Sequence, residues 1–326
     1  MASPIHTDKT VPTQWHILGA GAMGCLWAAA LQQTGHAVSL VLRDARQLDR
    51  YPGHILVEDP AQQRIRTLAM SAWEPVGGPP APQRPVRWLM IATKAQDALE
   101  ALAGVERWLS EDATLVLLQN GLQVQQQLSA QFGDRAWCLS SSHGAWLRDP
   151  RHVVQAGTGE AWLGQLRGAQ SPAGLLQRLP AQPMRVRHDP AIDVRLWRKF
   201  AVNCAVNALT VLYNCRNGEL LDEGPRQQHL NALCDEISAL LPALAQAPNA
   251  DHLLTPPLRA QVEAVLAATA SNVSSTLQDV RLGRPTELAH LNGYLITLAQ
   301  QAGLTAPRNA ALMEQIGHCA RIPAHL

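Results

Sequence analysis

The sequence predicts an α/β protein: a doubly wound parallel sheet followed by an all-helical C-terminal domain. Three observations carry this reading. Short apolar runs alternate with helical periods through the first half of the chain. A Gly-x-Gly-x-x-Gly turn joins the first apolar run to the first helical period. Strand patterns stop near residue 190, where long helical periods take over.

In order, WHILG (15–19) is a short apolar strand, and residues 21–34 carry Leu26, Ala29, Ala30 and Gln33 at helical spacing. AVSLVL (37–42) is a second strand, and 87–92, 114–118 and 136–140 are further strands, with helical stretches at 95–108 and 122–131. Such alternation implies parallel strands joined by helical crossovers. PVGGPPAPQRP (75–85) is a proline-rich surface loop with no assigned function. Two strand-like pieces, 152–156 and 160–164, flank a Gly-Thr-Gly turn and are expected to pair as a hairpin. Helices follow over 191–213, 226–246, 257–282, 286–302 and 307–318, with Thr255 as a helix cap before prolines in the first turn. The expected domains are a tail over 1–14, an α/β domain over 15–190 and a helical domain over 191–326.

A chain of 326 residues is long enough for two domains and a sizeable core. Its net charge of +1 and the lack of a basic block argue against a nucleic-acid or anionic-membrane partner. No apolar run is long enough to span a membrane, and the first fourteen residues lack an apolar signal core. Cysteines 25, 138, 204, 215, 234 and 319 are scattered, with no Cys-x-x-Cys and no His pair at zinc spacing. That usage fits reduced core thiols in a cytoplasmic protein without a metal site.

GAGAMG, residues Gly19, Ala20, Gly21, Ala22, Met23 and Gly24, follows a strand and opens a helix, the context the glycine motif requires. Gly19 permits the tight turn, Gly21 lets backbone approach a pyrophosphate, and Gly24 lets helix and strand pack closely. The helix N-terminus offers N–H groups and positive dipole to the phosphates. The second strand ends in Leu42-Arg43-Asp44. An acidic residue there favours the free ribose hydroxyl of NAD, and an arginine favours the 2′-phosphate of NADP. Arg43 directly follows the apolar run, so NADP is the expected cofactor. ATKA (92–95) and QNG (119–121) also lie at carboxyl ends of strands, where open α/β sheets bind ligands.

WRKFAVNCAVNALTVLYN (197–214) is apolar except for Lys199, Asn203, Asn207, Thr210 and Asn214. At 100° per residue these five fall within about 80° of one another. A solvent-facing stripe would favour Glu, Gln and Arg, whereas Asn and Thr each cost about half a kcal/mol of helix propensity. A wall facing a polar ligand and an internal network joining two helices both remain open. The chain has 27 basic residues, of which only Lys9, Lys94 and Lys199 are lysine. Lysine, unlike arginine, can release a proton when its pKa is lowered, so Lys199 is a candidate general acid. In SNVSSTLQDVRLGRPTE (271–287), Ser271, Ser275 and Gln278 lie opposite an apolar side, and Thr286-Glu287 begins the next helix. Nothing local singles out Ser275 or Glu287.

Taken together, GAGAMG, TKA (93–95), QNG (119–121), LWRKFAVNCAVNALTVLYNCRNGEL (196–220) and the 271–287 stretch closely resemble the ketopantoate reductase family (2-dehydropantoate 2-reductase). The likeness runs from residue 15 to 295, with SHGA (142–145) and the proline-rich loop as variations. It implies a Rossmann-type N-terminal domain, a helical C-terminal domain, and NADPH-dependent reduction of ketopantoate to pantoate on the way to pantothenate and coenzyme A. It further implies that Lys199 is the proton donor and that Asn203, Asn207, Asn217 and Ser275 bind substrate. Asn120 would touch both substrate and cofactor, and Glu287 would act catalytically beside the cofactor. Gly19 to Gly24, Arg43, Lys94 and Ala145 match cofactor-contacting positions. Two alternatives stay in view: a reductase of this architecture for another branched 2-oxo acid, and a nicotinamide-nucleotide sensor without turnover. A homodimer is left open.

Overall fold

The computed structural model describes residues 13–76, 82, 84–182, 184–245 and 252–319. The described residues divide into two compact units: those up to Gln119 with Val124–Ile192, and Asn120–Gln123 with those from Asp193 onward. The proline-rich loop falls largely outside the described residues, as does the expected tail except for Thr13 and Gln14. Gln14 belongs to the first strand, paired with Ala37, and not to a tail.

The first unit runs β1 (Gln14–Leu18), α1 (Ala22–Gln33), β2 (Ala37–Val41), α2 (Ala45–Asp49), β3 (His54–Asp59), β4 (Arg64–Ala69), β5 (Ser71–Trp73), β6 (Val86–Ile91), α3 (Ala95–Val105), β7 (Leu109–Leu117), α4 (Gln123–Phe132), β8 (Ala136–Ser141), β9 (Gly144–Asp149), β10 (His152–Gly157), β11 (Ala161–Gly164), α5 (Ala173–Leu176) and β12 (Val186–His188). Eight of its strands form one sheet in the order β12-β11-β8-β7-β6-β1-β2-β5. Neighbours pair in parallel throughout, except that β11 runs antiparallel to β8. Ile17, Leu89, Met90, Ile91, Leu115, Val116 and Leu117 are fully buried, which is why these strands read as unbroken apolar runs.

A second sheet, β4-β3-β10-β9, has no clear signature in the sequence. β4, RIRTLA, is mostly exposed and alternates charge with Ile65, so it presents no apolar run. Helix α1 packs on β1 and β2 and also on β3, β9 and β10. Burial from both sides explains the unbroken buried stretch from Gly24 to Leu31. The expected hairpin of 152–156 with 160–164 does not form. β10 pairs with β9 and β3, while β11 crosses into the large sheet beside β8 and β12. The Gly-Thr-Gly segment carries the chain between sheets, and Ser142 holds its exit, accepting at Oγ from Glu160 N over 2.8 Å.

The second unit contains α6 (Ile192–Leu212), α7 (Pro225–Leu244), α8 (Leu258–Ala268), α9 (Ser275–Arg281), α10 (Asn292–Gln301) and α11 (Pro307–Cys319). The helix expected over 257–282 is two helices. Residues 269–274 leave helical geometry because Asn217 N and Gly218 N take the carbonyls of Asn272 and Ala270, each at 3.0 Å. Pro257, not Thr255, occupies the cap of α8. The helix expected from Thr286 also starts later: a 3-10 turn over Leu288–His290 comes first, with Glu287 at its cap, and α10 begins at Asn292. Asn292 is fully buried and donates from Nδ2 to Cys204 O and Asn309 Oδ1, both at 2.8 Å, tying α10 to α6 and α11. Glu236 of α7 accepts from the backbone N–H groups of Arg308 and Asn309, satisfying donors in the first turn of α11. No helix among the described residues is long and apolar enough to cross a membrane.

Candidate active site

In the first unit the glycine turn is set by contacts that leave no room for side chains. Gly19 has φ +104°, a conformation L side chains avoid, and a Cβ there would come within 2.8 Å of Thr93 N. A Cβ on Gly24 would overlap the Gly19 carbonyl oxygen. Gly21 caps α1 with extended backbone and no side-chain cap, and nothing lies within 4 Å of where its Cβ would stand. Ala20, Ala22 and Met23 rest on the core cluster. The uncapped N–H groups and dipole of α1 therefore meet an uncrowded backbone, which is what a dinucleotide pyrophosphate asks of this turn.

Arg43 follows the apolar run of β2, is 68% exposed, and pairs with Asp97 of α3 at 3.3 Å. Asp44 has a local role: its Oδ1 accepts from Gln47 N at 2.8 Å and caps α2. Lys94 stands at the cap position of α3, partly buried. Beside it, Thr93 Oγ1 is buried with no hydrogen-bond partner among the described residues. Gln119 Nε2 donates to Ile91 O at 2.8 Å and to Thr93 O at 3.3 Å, bracing the two strand ends. Ala145 lies on β9 opposite Gln155 and packs on the core cluster.

In the second unit Lys199 projects from α6 between buried neighbours such as Phe200, Ala201 and Cys204. Burial lowers its pKa to about 8, while the charge of Glu287 partly offsets that by favouring the ammonium form. Asn120 belongs to this unit and donates from Nδ2 to Glu287 Oε2 at 3.3 Å. His290 Nδ1 and Gln123 Oε1 lie 3.0 Å apart, so residues 120–123 are fastened to 287–290 at two points. Lys199, Glu287 and Asn120 thus form one electrostatically linked group.

One and two turns along α6, Asn203 is partly buried and Asn207 is 9% exposed, and neither amide bonds a described residue. The polar stripe ends differently from the expected five-residue seam. Thr210 is fully buried, donating to Asn207 O at 2.7 Å and lying 2.6 Å from Ser274 Oγ. It joins α6 to the start of α9, so at this position the internal-network reading holds. Asn214 lies beyond the helix end with φ 45°, where its Oδ1 accepts from Arg281 Nη2 at 2.8 Å.

Asn217 is 9% exposed and donates from Nδ2 to Thr269 Oγ1 at 2.9 Å. The Thr269 hydroxyl gives its one hydrogen to Val265 O at 2.7 Å, so it can only accept from Asn217. This fixes the amide with Oδ1 turned away from Thr269, and that oxygen is buried with no partner among the described residues. Ser275, exposed, is the first residue of α9, and its buried neighbour Ser274 caps that helix by accepting from Leu277 N. Thr269 goes unnoticed in sequence because its bond to Asn217 is tertiary, and so does the contact of Ser274 with Thr210, although the capping by Ser274 is local. The Ser-Ser pair ahead of Thr-Leu was the one local hint, as a cap signal.

Comparison with known proteins gives these residues a family. The model described as Ketopantoate reductase PanE/ApbA matches residues 15–168, and Ketopantoate reductase PanE/ApbA C terminal matches 191–320. The chain is 30% identical to the 2-dehydropantoate 2-reductase of Vibrio cholerae over 308 residues, covering 92% of this chain and 95% of that protein. It is also 30% identical to that of Salmonella typhimurium over 317 residues, covering 92% and 93%. Among solved structures, a PanE/ApbA family ketopantoate reductase from Ralstonia eutropha superposes with TM-score 0.79 at 22% identity, over 94% of this chain and 98% of that one. D-mandelate dehydrogenase, solved with NADH and anilino(oxo)acetate, superposes with TM-score 0.82 at 19% identity over the same shares, a likeness of fold. With both halves matched by its models and relatives aligned over nearly their whole length, the chain belongs to the ketopantoate reductase family and is an oxidoreductase.

Proposed function

We propose that the protein reduces 2-dehydropantoate to pantoate with NADPH in the cytoplasm, a step toward pantothenate and coenzyme A. The observation that carries this is Lys199: a partly buried lysine whose pKa is lowered to about 8 beside Glu287. NADPH, when bound, supplies the hydride that adds to C2 of the oxo acid. The electron pair left on the C2 oxygen must be met by a proton, and Lys199 Nζ donates it. Glu287 favours the charged form of the lysine, and Asn120 holds the Glu287 carboxylate at 3.3 Å. Asn203 and Asn207 offer amides to the substrate's polar groups, and Ser275 offers its hydroxyl.

Asn217 Oδ1 bears on substrate choice. A buried acceptor without a partner costs about 1–3 kcal/mol, which a ligand hydroxyl can recover. 2-Dehydropantoate carries a 4-hydroxyl, whereas 2-oxoisovalerate lacks one. The fold neighbour named for mandelate supports a second reading, an aryl 2-oxo acid, against which Asn217 weighs. For the cofactor, Asp44 is committed to capping α2 and Arg43 is exposed, an arrangement that favours a 2′-phosphate over a bare ribose.

The test is NADPH oxidation with 2-dehydropantoate, 2-oxoisovalerate and benzoylformate. The expected result is kcat/KM highest for 2-dehydropantoate by at least about tenfold. Equal or greater activity on benzoylformate would overturn the substrate assignment, and binding of NADPH without turnover on any of the three would favour a sensor.

A further inference from the structure

Arg151 belongs to the first unit, at the edge of the four-stranded sheet. It sits in the turn between β9 and β10 with φ 69°, and its carbonyl accepts from Leu56 N at 2.8 Å, which fixes the turn against β3. Its guanidinium reaches back to the dinucleotide site. Nη1 lies 3.5 Å from Ala20 O, inside the glycine turn, and Nη2 lies 3.5 Å from Gln47 Oε1, in the first turn of α2. Both contacts are at the long limit of a hydrogen bond and use little of the group's capacity of five donors. Nε is buried with no partner among the described residues.

No carboxylate among the described residues pairs with Arg151. The nearby hairpin carboxylate, Glu58, is taken by Arg148 at 2.8 Å and His152 at 3.0 Å. The charge of Arg151 is felt at Cys25 in the first turns of α1, where it opposes the burial that raises the thiol. The guanidinium thus spans the α1 N-terminus, suited to a pyrophosphate, and the Arg43–Gln47 segment, suited to a ribose 2′-phosphate. A partly buried cation without an acidic partner is offset most directly by an anion.

We propose that Arg151 is a phosphate-binding residue of the dinucleotide site, supplying a cation from the β9–β10 turn in addition to the helix N-terminus and Arg43. This rests on the NADPH reading above. The shared chemistry is a phosphate oxygen, whether of the pyrophosphate or the 2′-phosphate.

The experiment is titration of the substrate-free protein with NADPH and with NADH, following nicotinamide fluorescence. It compares wild type with Arg151→Asn, Arg151→Lys and Arg148→Ala. Asparagine tolerates positive φ and removes the charge, lysine keeps the charge, and Arg148→Ala removes a hairpin charge placed elsewhere. Arg151→Asn is expected to weaken NADPH by about ten- to a hundred-fold. Arg151→Lys should keep most of the affinity, Arg148→Ala nearly all, and every variant an unchanged melting temperature without ligand. Loss for NADPH alone assigns the 2′-phosphate, and equal loss for both dinucleotides assigns the pyrophosphate. Unchanged affinity of Arg151→Asn for both would overturn the proposal while leaving the reductase reading intact. A wild type that binds neither dinucleotide would instead overturn that reading and this inference with it.

Discussion

Asn120 Nδ2 donates to Glu287 Oε2 at 3.3 Å, linking residues 167 positions apart in the chain. The contact places Asn120, which follows the end of β7 in sequence, with the helical unit instead of the sheet. It also sets the carboxylate whose charge raises the Lys199 pKa against the effect of burial.

Glu287→Gln should therefore lower the pKa of Lys199 further. The sign follows from the removed charge: without a nearby anion the ammonium is less favoured, so it loses its proton at lower pH. If protonated Lys199 is the acid, the alkaline fall in kcat/KM moves to lower pH in this variant. A fall that stays in place, or moves to higher pH, would separate Glu287 from the acid.

Arg43→Asp should reverse cofactor preference. It replaces an exposed cation by a carboxylate that repels a 2′-phosphate and accepts from ribose hydroxyls. The ratio of kcat/KM for NADPH over NADH is expected to drop by about ten- to a hundred-fold. An unchanged ratio would remove Arg43 from 2′-phosphate recognition.

Thr269→Val should release the Asn217 amide, whose orientation depends on the Thr269 hydroxyl accepting at 2.9 Å. The expected result is a KM for 2-dehydropantoate raised about tenfold with kcat within about threefold, restored in Thr269→Ser. Steady-state kinetics at saturating NADPH read both constants. Equal loss in Thr269→Val and Thr269→Ser would point to packing around the methyl group instead of the hydrogen bond.

Legibility followed the range of the interactions. The glycine turn was readable because the residue type is itself the signature: Gly19 is barred from a side chain by its φ of +104° and by Thr93, and Gly24 by the Gly19 carbonyl. The large sheet was readable because its central strands are buried on both faces. The second sheet was not, since β4 and β9 are largely exposed, and β9 and β10 are brought to β3 by the turn at Arg151 and the packing of α1. The period over 257–282 continued through a break at which the backbone N–H groups of residues 217–218 take the carbonyls of Ala270 and Asn272. Lys199 stood out by type, in a chain with few lysines. Thr210 shared its stripe but points into a buried contact with Ser274, a distinction that a helical wheel does not make. Ser275 and Glu287 had bland local explanations and came forward through resemblance alone, and Arg151 carried no local signal at all.

The acid role of Lys199 is read from the pH dependence of kcat/KM for 2-dehydropantoate in wild type and Lys199→Ala, with NADPH affinity measured alongside. The wild-type rate is expected to fall as pH rises through about 8, where Lys199 loses its proton. In Lys199→Ala that fall disappears, the rate drops by about 10²–10⁴-fold, and NADPH binding persists. A variant that keeps the wild-type rate, or the same alkaline fall, would remove Lys199 from the role of proton donor.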